Sequence, residues 1–204
     1  NGSLRHRCRR HSQSRGSRKS ILEVGIGMKT IIIGGVAVGM SAATRLRRLD
    51  EYASITVYEM GENVSYANCG LPYYLSDTIS ERSSLLLQTP DSLHRRFNLD
   101  VKVKHKVLSI DKTGKTVAVQ NLETGETFID SYDFLVIATG AKPRKPQVPG
   151  IERALVLRDV ADVDALKAAV LASENKKAVV IGGGFIGIET AENLIEAGFT
   201  VHLV

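Results

Sequence analysis

Residues 30–39, TIIIGGVAVG, read as a β-strand that runs directly into a glycine-rich turn. The β-branched run favours a buried strand, and residues 40–49 have the spacing of apolar and polar positions that is typical of a helix. A second strand is predicted at 55–59, and it ends in Glu59, about 20 residues beyond the last glycine. This order of strand, glycine turn, helix and acidic strand end indicates a dinucleotide-binding unit.

The same order of elements returns near the end of the sequence. Residues 178–181 predict a strand, and GGGFIG at 182–187 supplies all three glycines of the G-x-G-x-x-G pattern before a helix at 188–197. In the first turn Val36 replaces the middle glycine, so a tight strand-to-helix turn without a cofactor is the alternative there. Two such units predict two nucleotides or two halves of one site.

Residues 101–138 lie between the two units and alternate as strands do, which predicts a β-meander. The proline- and lysine-rich stretch 142–150 excludes a helix or an interior strand and marks a boundary. The sequence therefore predicts an α/β protein with two Rossmann-like dinucleotide-binding units and an intervening meander. Its expected domains are a first segment at 28–146 and the start of a second domain at 147–204.

The formal charge of +5 is concentrated at the beginning of the chain. Residues 1–27 hold seven basic residues against Glu23, a net +6, which leaves −1 for the remainder. A nearly neutral body offers no basic face for nucleic acid. We expect residues 1–27 to be a tag, a presequence or a non-native extension, and Met28 would be the true start if upstream sequence has been translated by accident. No apolar run reaches the roughly 18 residues of a membrane span, and two cysteines favour a reducing, cytoplasmic setting.

The stretch ANCGLPYY at 67–74 contains one of the two cysteines. A lone cysteine is often a small buried apolar residue, and that is the alternative for Cys69. The following Leu71 and Pro72 predict a helix start, because proline is tolerated in a first helical turn. A thiol at a helix N-terminus has its thiolate stabilised, so this setting favours a reactive sulfur.

Taken in order, these motifs resemble the flavin-dependent pyridine nucleotide-disulfide oxidoreductases over residues 28–204. The stretch ANCGLPY is most similar to the coenzyme A-disulfide reductases. Glutathione-reductase-like relatives carry C-x4-C and thioredoxin reductases carry C-x-x-C, whereas this chain has no second cysteine near Cys69. NADH oxidases and peroxidases usually show SFLSCG, from which this sequence departs at Ala67 and Asn68.

The resemblance implies roles for particular residues, and it implies no metal site. The catalytic residues would be Cys69 and Asn68. The residues near FAD would be Gly34, Val36, Ala37, Gly39, Glu59, Ala138, Thr139, Gly140 and Arg158. Those near NAD(P)H would be Gly182, Gly184, Ile186, Gly187 and Glu189, the last close to the nicotinamide. CoA would be contacted by Ser65, Arg45 and Arg48. For the three arginines the alternative is a solvated charge on a helix.

The activity implied by the resemblance is a FAD-dependent transfer of electrons from NAD(P)H to Cys69 and on to CoA disulfide or a related disulfide or persulfide. One alternative is an NADH oxidase or peroxidase in which Cys69 cycles through a sulfenic acid. Another is a non-catalytic nucleotide-binding fragment. In the family further segments follow the equivalent of Val204, so we expect an N-terminal piece of a homodimeric parent, inactive by itself. The residue that separates NADH from NADPH would come next, so no coenzyme preference is predicted.

Overall fold

The computed structural model describes residues 27–204, and the predicted extension therefore lies almost wholly outside the described residues. The strands are β1 (Lys29–Ile33), β2 (Ser54–Tyr58), β3 (Asp100–Lys102), β4 (His105–Asp111), β5 (Thr116–Asn121), β6 (Thr127–Ser131), β7 (Phe134–Ile137), β8 (Lys177–Val180) and β9 (Thr200–Leu203). The α-helices are α1 (Ala37–Leu49), α2 (Leu71–Leu75), α3 (Pro90–Phe97), α4 (Val160–Ala172) and α5 (Phe185–Glu196). Short 3-10 turns lie at Asn68–Gly70, Arg82–Leu85 and Ile151–Arg153.

A parallel sheet in the order β3, β2, β1, β7 forms the first unit. Successive side chains of a strand point to opposite faces, and β1 is buried on both. On one face Ile32 packs with Met40 of α1, and on the other Ile31 packs with Val117 and Val119 of β5. The first sheet is therefore a middle layer between helix α1 and a second sheet. The α/β fold predicted from the sequence is confirmed.

The second sheet is an antiparallel meander in the order β4, β5, β6. This meander spans residues 105–131 and is therefore shorter than the meander predicted for residues 101–138. Strand β3 precedes it and β7 follows it, and both pair in parallel with strands of the first sheet. Alternation of apolar and polar residues describes any half-buried strand. The pattern alone therefore cannot say which neighbour a strand will take.

Helix α4 packs against both helix α2 and the second glycine unit. Its Val163 packs in one core cluster with Leu71 and Leu75 of α2, and its Val170 packs in another with Leu194 of α5. The second unit itself consists of the parallel pair β8 and β9 with α5 packed beside it. In the part of the chain that the structure describes, none of the helices combines the length and the apolar character needed to cross a membrane.

Candidate functional site

The first glycine turn connects β1 to α1 at the carboxyl end of the parallel sheet. Gly34 has a φ of +104°, which disfavours residues with a side chain, and its N–H donates to the carbonyl of Tyr58 at 2.8 Å. A Cβ on Gly34 would press against the carbonyl of Ala138, and one on Gly39 against the carbonyl of Gly34. Val36 is the residue just before α1 and has a negative φ, so this position accepts a side chain. Ala37 opens the helix.

Glu59 lies directly beside this turn. Its Oε2 accepts a hydrogen bond from the backbone N–H of Gly35 at 2.6 Å, and its Oε1 accepts one from Gly61 at 2.7 Å. A Cβ on Gly35 would lie 2.7 Å from Cγ1 of Val64, so the turn can approach the carboxylate only with glycine at this position. Sequence reasoning did not select Gly35 as a site residue. The doubled glycine at 34 and 35 is the signal that could have found it.

The segment 138–140 and Arg158 meet at the same end of the sheet. The N–H of Ala138 donates to the carbonyl of Ile33 at 2.8 Å, which continues the pairing of β7 with β1 up to the glycine turn. Thr139 is exposed, and Gly140 has a φ of +66°. A Cβ on Gly140 would lie 2.6 Å from Nη2 of Arg158. The structure thus places Arg158 against the segment that was predicted to lie near FAD.

Arg158 is held by the start of helix α4. Its backbone N–H donates to Oδ2 of Asp162 at 2.9 Å, and Asp162 forms a reciprocal capping box with Asp159. Burial and the neighbouring Asp159 raise the pKa of Asp162 above its ordinary value. Asp159 and Asp162 therefore place two carboxylates next to the backbone that carries the guanidinium.

A cavity of about 130 Å³ opens beside Glu59. Its wall includes Tyr66, whose side chain is largely buried, and burial followed by the nearby Asp159 and Glu59 raises the pKa of this phenol to about 12. Arg82 bridges the rim by donating from Nε and Nη2 to the carboxylate of Asp164 at 2.7 to 3.0 Å. The cavity therefore offers mainly hydrogen-bond acceptors around Glu59, which suits hydroxyl groups.

The thiol segment is attached to the first glycine turn by backbone hydrogen bonds. Ser65 has a φ of +47°, and its N–H donates to the carbonyl of Gly35 at 2.9 Å. Asn68 and Cys69 follow in the 3-10 turn, both exposed, and Cys69 is a free thiol. The structure therefore brings Ser65, Asn68 and Cys69 together on one segment next to the turn.

Helix α2 begins at Leu71, two residues after Cys69, as the proline predicts, but it is only five residues long. Gly70 separates the thiol from the helix, and a Cβ there would lie 3.2 Å from both Cδ1 of Ile79 and Cδ2 of Leu85. The side of Gly70 that a side chain would occupy therefore faces the protein core. The outer side of the segment carries the sulfur.

Arg45 and Arg48 lie on the exposed surface of α1. Arg48 is 11 residues beyond Ala37, which corresponds to about 16 Å along the helix axis. The structure therefore does not bring these two guanidinium groups to the start of the helix, where the thiol segment is attached. A ligand that contacts both places would have to be extended.

The second glycine turn is more open than the first. Gly182 has a φ of +108°, and a Cβ on Gly187 would press against the carbonyl of Gly182. Among the described residues, no heavy atom lies within 4 Å of a Cβ built on any of residues 182–184. Ile186 is exposed beside the turn, and Glu189 is partly exposed one helical turn further on. This surface has room for a ligand that approaches the backbone.

The second unit also touches the thiol region through Asn193. This buried side chain donates from Nδ2 to the carbonyl of Glu189 at 2.8 Å and accepts at Oδ1 from Ser76 Oγ at 2.6 Å. Ser76 is the residue directly after α2. Sequence reasoning missed this contact because Asn193 lies inside a helical pattern, where a polar residue is usually assigned to the solvent face.

Comparisons with known proteins identify similar sequences and similar folds. The family model for pyridine nucleotide-disulphide oxidoreductases matches residues 28–204. A coenzyme A disulfide reductase from Staphylococcus haemolyticus (strain JCSC1435) is 37% identical over 176 residues, which are 86% of this chain and 40% of that protein. This chain therefore spans about 40% of the length of the curated relatives it matches.

Two solved structures are similar in fold as well as in sequence. Reduced Bacillus anthracis CoADR-RHD is 48% identical with a TM-score of 0.84, over 87% of this chain and 32% of that one. A NAD-dependent persulfide reductase from A. fulgidus is 38% identical with a TM-score of 0.81, over 86% of this chain and 33% of that one. The match of the family model over most of the chain, together with these likenesses, places the protein in the pyridine nucleotide-disulphide oxidoreductase family.

Proposed function

We propose that this chain belongs to a FAD-dependent enzyme that uses NAD(P)H to reduce CoA disulfide, or a related disulfide or persulfide, through Cys69. The observation that carries the proposal is the free, exposed thiol of Cys69 on a segment that is hydrogen-bonded to the first glycine turn. The names of the similar proteins, a CoA disulfide reductase and a persulfide reductase, support the same substrate class.

The first turn fits the diphosphate of FAD. Its backbone carries no side chain at Gly34 or Gly35, and it leads into the N-terminus of the 13-residue helix α1, where N–H groups favour an anion. Glu59 holds the turn with one hydrogen bond to each oxygen and keeps lone pairs for ribose hydroxyls. The remaining residues proposed to hold FAD are Val36, Ala37, Gly39, Ala138, Thr139, Gly140 and Arg158. When bound, FAD supplies the two-electron chemistry between NAD(P)H and sulfur.

The second turn fits the pyrophosphate of NAD(P)H. The backbone of residues 182–184 is open, and α5 begins directly after it. The residues proposed to hold this ligand are Gly182, Gly184, Ile186, Gly187 and Glu189. Their proposed role is to bind and orient NAD(P)H. Asn193 supports Glu189 by donating a hydrogen bond to its backbone carbonyl.

One cysteine is sufficient for disulfide reduction because the substrate supplies the second sulfur. The Cys69 thiolate attacks one sulfur of CoA disulfide, so a Cys69–CoA disulfide forms while the original S–S bond breaks. The first CoA leaves as a thiolate and takes a proton from water. Two electrons that originate in NAD(P)H then break the mixed disulfide, which restores the Cys69 thiolate and releases the second CoA. One NAD(P)H and one proton thus convert one disulfide into two thiols.

The proposed CoA contacts are Ser65 and Asn68 near the sulfur and Arg45 and Arg48 along α1. Guanidinium groups bind phosphates through paired hydrogen bonds, and CoA carries phosphates at a distance from its thiol. The exposed position of both arginines leaves them accessible to such a group. Arg48 is the first choice for the phosphate contact.

We further propose that residues 28–146 form the first segment of the FAD domain and that residues 147–204 begin the NAD(P) domain. The longer parent is proposed to be a cytoplasmic homodimer. Sedimentation of the parent at several concentrations measures the oligomeric state, and a monomer at all concentrations contradicts it.

The test of the function is Cys69→Ser in the longer parent enzyme. We expect the variant to lose CoA disulfide reduction and to keep flavin binding and flavin reduction by NAD(P)H, because only the sulfur is removed. Mass spectrometry of the oxidised wild type should find CoA on Cys69. A sulfenic acid on Cys69, with peroxide or O2 as the better acceptor, would instead support the oxidase or peroxidase alternative.

A further inference from the structure

A lysine of helix α4 holds the end of the helix that follows the thiol. Lys167 is 9% exposed, and its Nζ donates to the carbonyl of Leu75 at 3.1 Å and to Oδ1 of Asp77 at 2.7 Å. Leu75 is the last residue of α2. The same ammonium lies 5.4 Å from the ring centroid of Tyr74, a favourable distance for a cation and an aromatic face. Tyr74, Leu75 and Asp77 therefore all contact the ammonium group of Lys167.

Helix α2 depends on such contacts because it is short. A five-residue helix has no stability of its own in water, and its last carbonyls lack partners within the helix. The Lys167 ammonium supplies the partner for one of these carbonyls from a different helix. The position of α2 is therefore set by neighbouring elements.

The burial of Lys167 is itself unusual. Lysine is almost never buried unless it is paired, because an ammonium loses its hydration there. Lys167 lies on the buried face of α4, four residues after Val163 and three before Val170, where an apolar side chain would pack without this cost. Asp77, the paired carboxylate, has a φ of +61° and a side chain that is 67% exposed. The buried ammonium of Lys167 is therefore explained by its hydrogen bond to the end of α2.

The connection from α2 to the thiol is direct. The 3-10 turn Asn68–Gly70 runs into α2 without a break, and the N–H of Leu71, the first residue of α2, donates to the carbonyl of Asn68. A shift of α2 therefore moves Cys69. The bond between Ser76 and Asn193 is a second tie at the same end of α2.

We infer that Lys167 is a positioning residue for Cys69: by holding the C-terminal end of α2 it fixes the turn that presents the sulfur. The expected effect on catalysis rests on the proposed function. The contact between Lys167 and α2 does not depend on it.

The experiment measures backbone hydrogen exchange in the 204-residue chain. Lys167→Met keeps the length of the side chain and removes the ammonium, so we expect amide exchange in residues 67–75 to become several-fold faster. Lys167→Arg should restore most of the protection, because a guanidinium can still donate to Leu75. The matched control is Lys176→Met, whose ammonium donates instead to the carbonyl of Val170 in α4 at 3.3 Å and should leave residues 67–75 unchanged.

Unchanged exchange at 67–75 in Lys167→Met, or an equal rise in Lys176→Met, overturns the inference. If Lys167→Met does not fold, Lys167→Gln gives the reading, since its uncharged and shorter side chain removes the ammonium that donates to the carbonyl of Leu75 and keeps a polar group at this position. Faster exchange at 67–75 then supports the inference, and unchanged exchange overturns it.

In the parent, Lys167→Met should lower kcat with the disulfide about tenfold and leave KM for NAD(P)H unchanged, with rescue by Lys167→Arg. Turnover that survives Cys69→Ser contradicts the proposed function, while the exchange result still decides the role of Lys167.

Discussion

Two glycines of the second turn lie in opposite surroundings although they are only four residues apart. A Cβ on Gly187 would press against the carbonyl of Gly182, whereas one on Gly183 would meet open space. We expect Gly187→Ala to lower the free energy of unfolding by about 2 kcal/mol, because the clash outweighs the better helix propensity of alanine. Gly183→Ala should change it by less than about 0.5 kcal/mol. Urea unfolding followed by circular dichroism measures both, and equal effects contradict the prediction.

For individual residues, the sequence predicts the site where one structural requirement explains the spacing of a motif. The three glycines of the second turn are recognisable because helix and strand must approach each other there. The contact between Ser65 and Gly35 was not predictable in the same way, because it joins residues 30 positions apart through the backbone. No side-chain pattern records such a bond. Only the folded chain places Cys69 next to the first turn.

The helices α1 and α3 end on a shared arginine. Arg47 donates from Nε to the carbonyl of Phe97 at 2.8 Å, from Nη2 to that of Asn98 at 2.9 Å and from Nη1 to that of Glu51 at 2.6 Å. Because these bonds satisfy helix-end carbonyls with a charged donor, we expect Arg47→Met to cost about 2 kcal/mol of unfolding free energy.

Arg48→Met is the matched control for chemical denaturation, since Nε of Arg48 donates to Thr44 within its own helix at 3.2 Å. We expect it to change stability by less than about 0.5 kcal/mol. The prediction fails if the two variants unfold at the same denaturant concentration.

The same arginines show what an element's sequence leaves open. Residues 45–48, RLRR, read as one basic cluster on a helix, and an arginine on a helix is usually solvated. The fold separates them: Arg47 is bound to four carbonyls, including Asp50, while Arg45 and Arg48 stay exposed. Helix periodicity gives the face of a residue, but the loop that packs on this face comes from elsewhere in the chain.

At the scale of the whole molecule, one phenol joins the two sheets. Tyr58 of β2 is buried, and its hydroxyl donates to Oδ2 of Asp130 in β6 at 2.7 Å, while Lys29 of β1 pairs with the other oxygen. Burial, followed by the hydrogen bond to Asp130, raises the pKa of Tyr58 far above its ordinary value of 10.0. The folded protein therefore holds this proton more tightly than the unfolded chain does.

The sign of this shift predicts how stability depends on alkaline pH. The stabilisation from neutral Tyr58 is fully present below pH 10, the ordinary value of the unfolded phenol, and is lost as the pH rises above it. We expect Tyr58→Phe to be about 1 to 2 kcal/mol less stable at neutral pH, since Asp130 loses a donor, and to lose less further stability above pH 10.

Thermal unfolding at a series of pH values measures this slope. Tyr132→Phe is the control, because its hydroxyl makes only a long contact of 3.4 Å to the carbonyl of Asp111 among the described residues. A wild type and a Tyr58→Phe variant with parallel alkaline slopes would refute the prediction.

The position of α4 also determines where the chain can be shortened without loss of the packing around α2. Residues 142–150 look like a natural place to divide it, since they have no helix or strand. A gene that stopped there would discard Val163 and leave Leu71 and Leu75 of the thiol region without their cover. It would also discard Lys167, which bonds the end of α2. A shortened gene for the first unit, with its glycine turn, should therefore continue through Ala172, the end of α4.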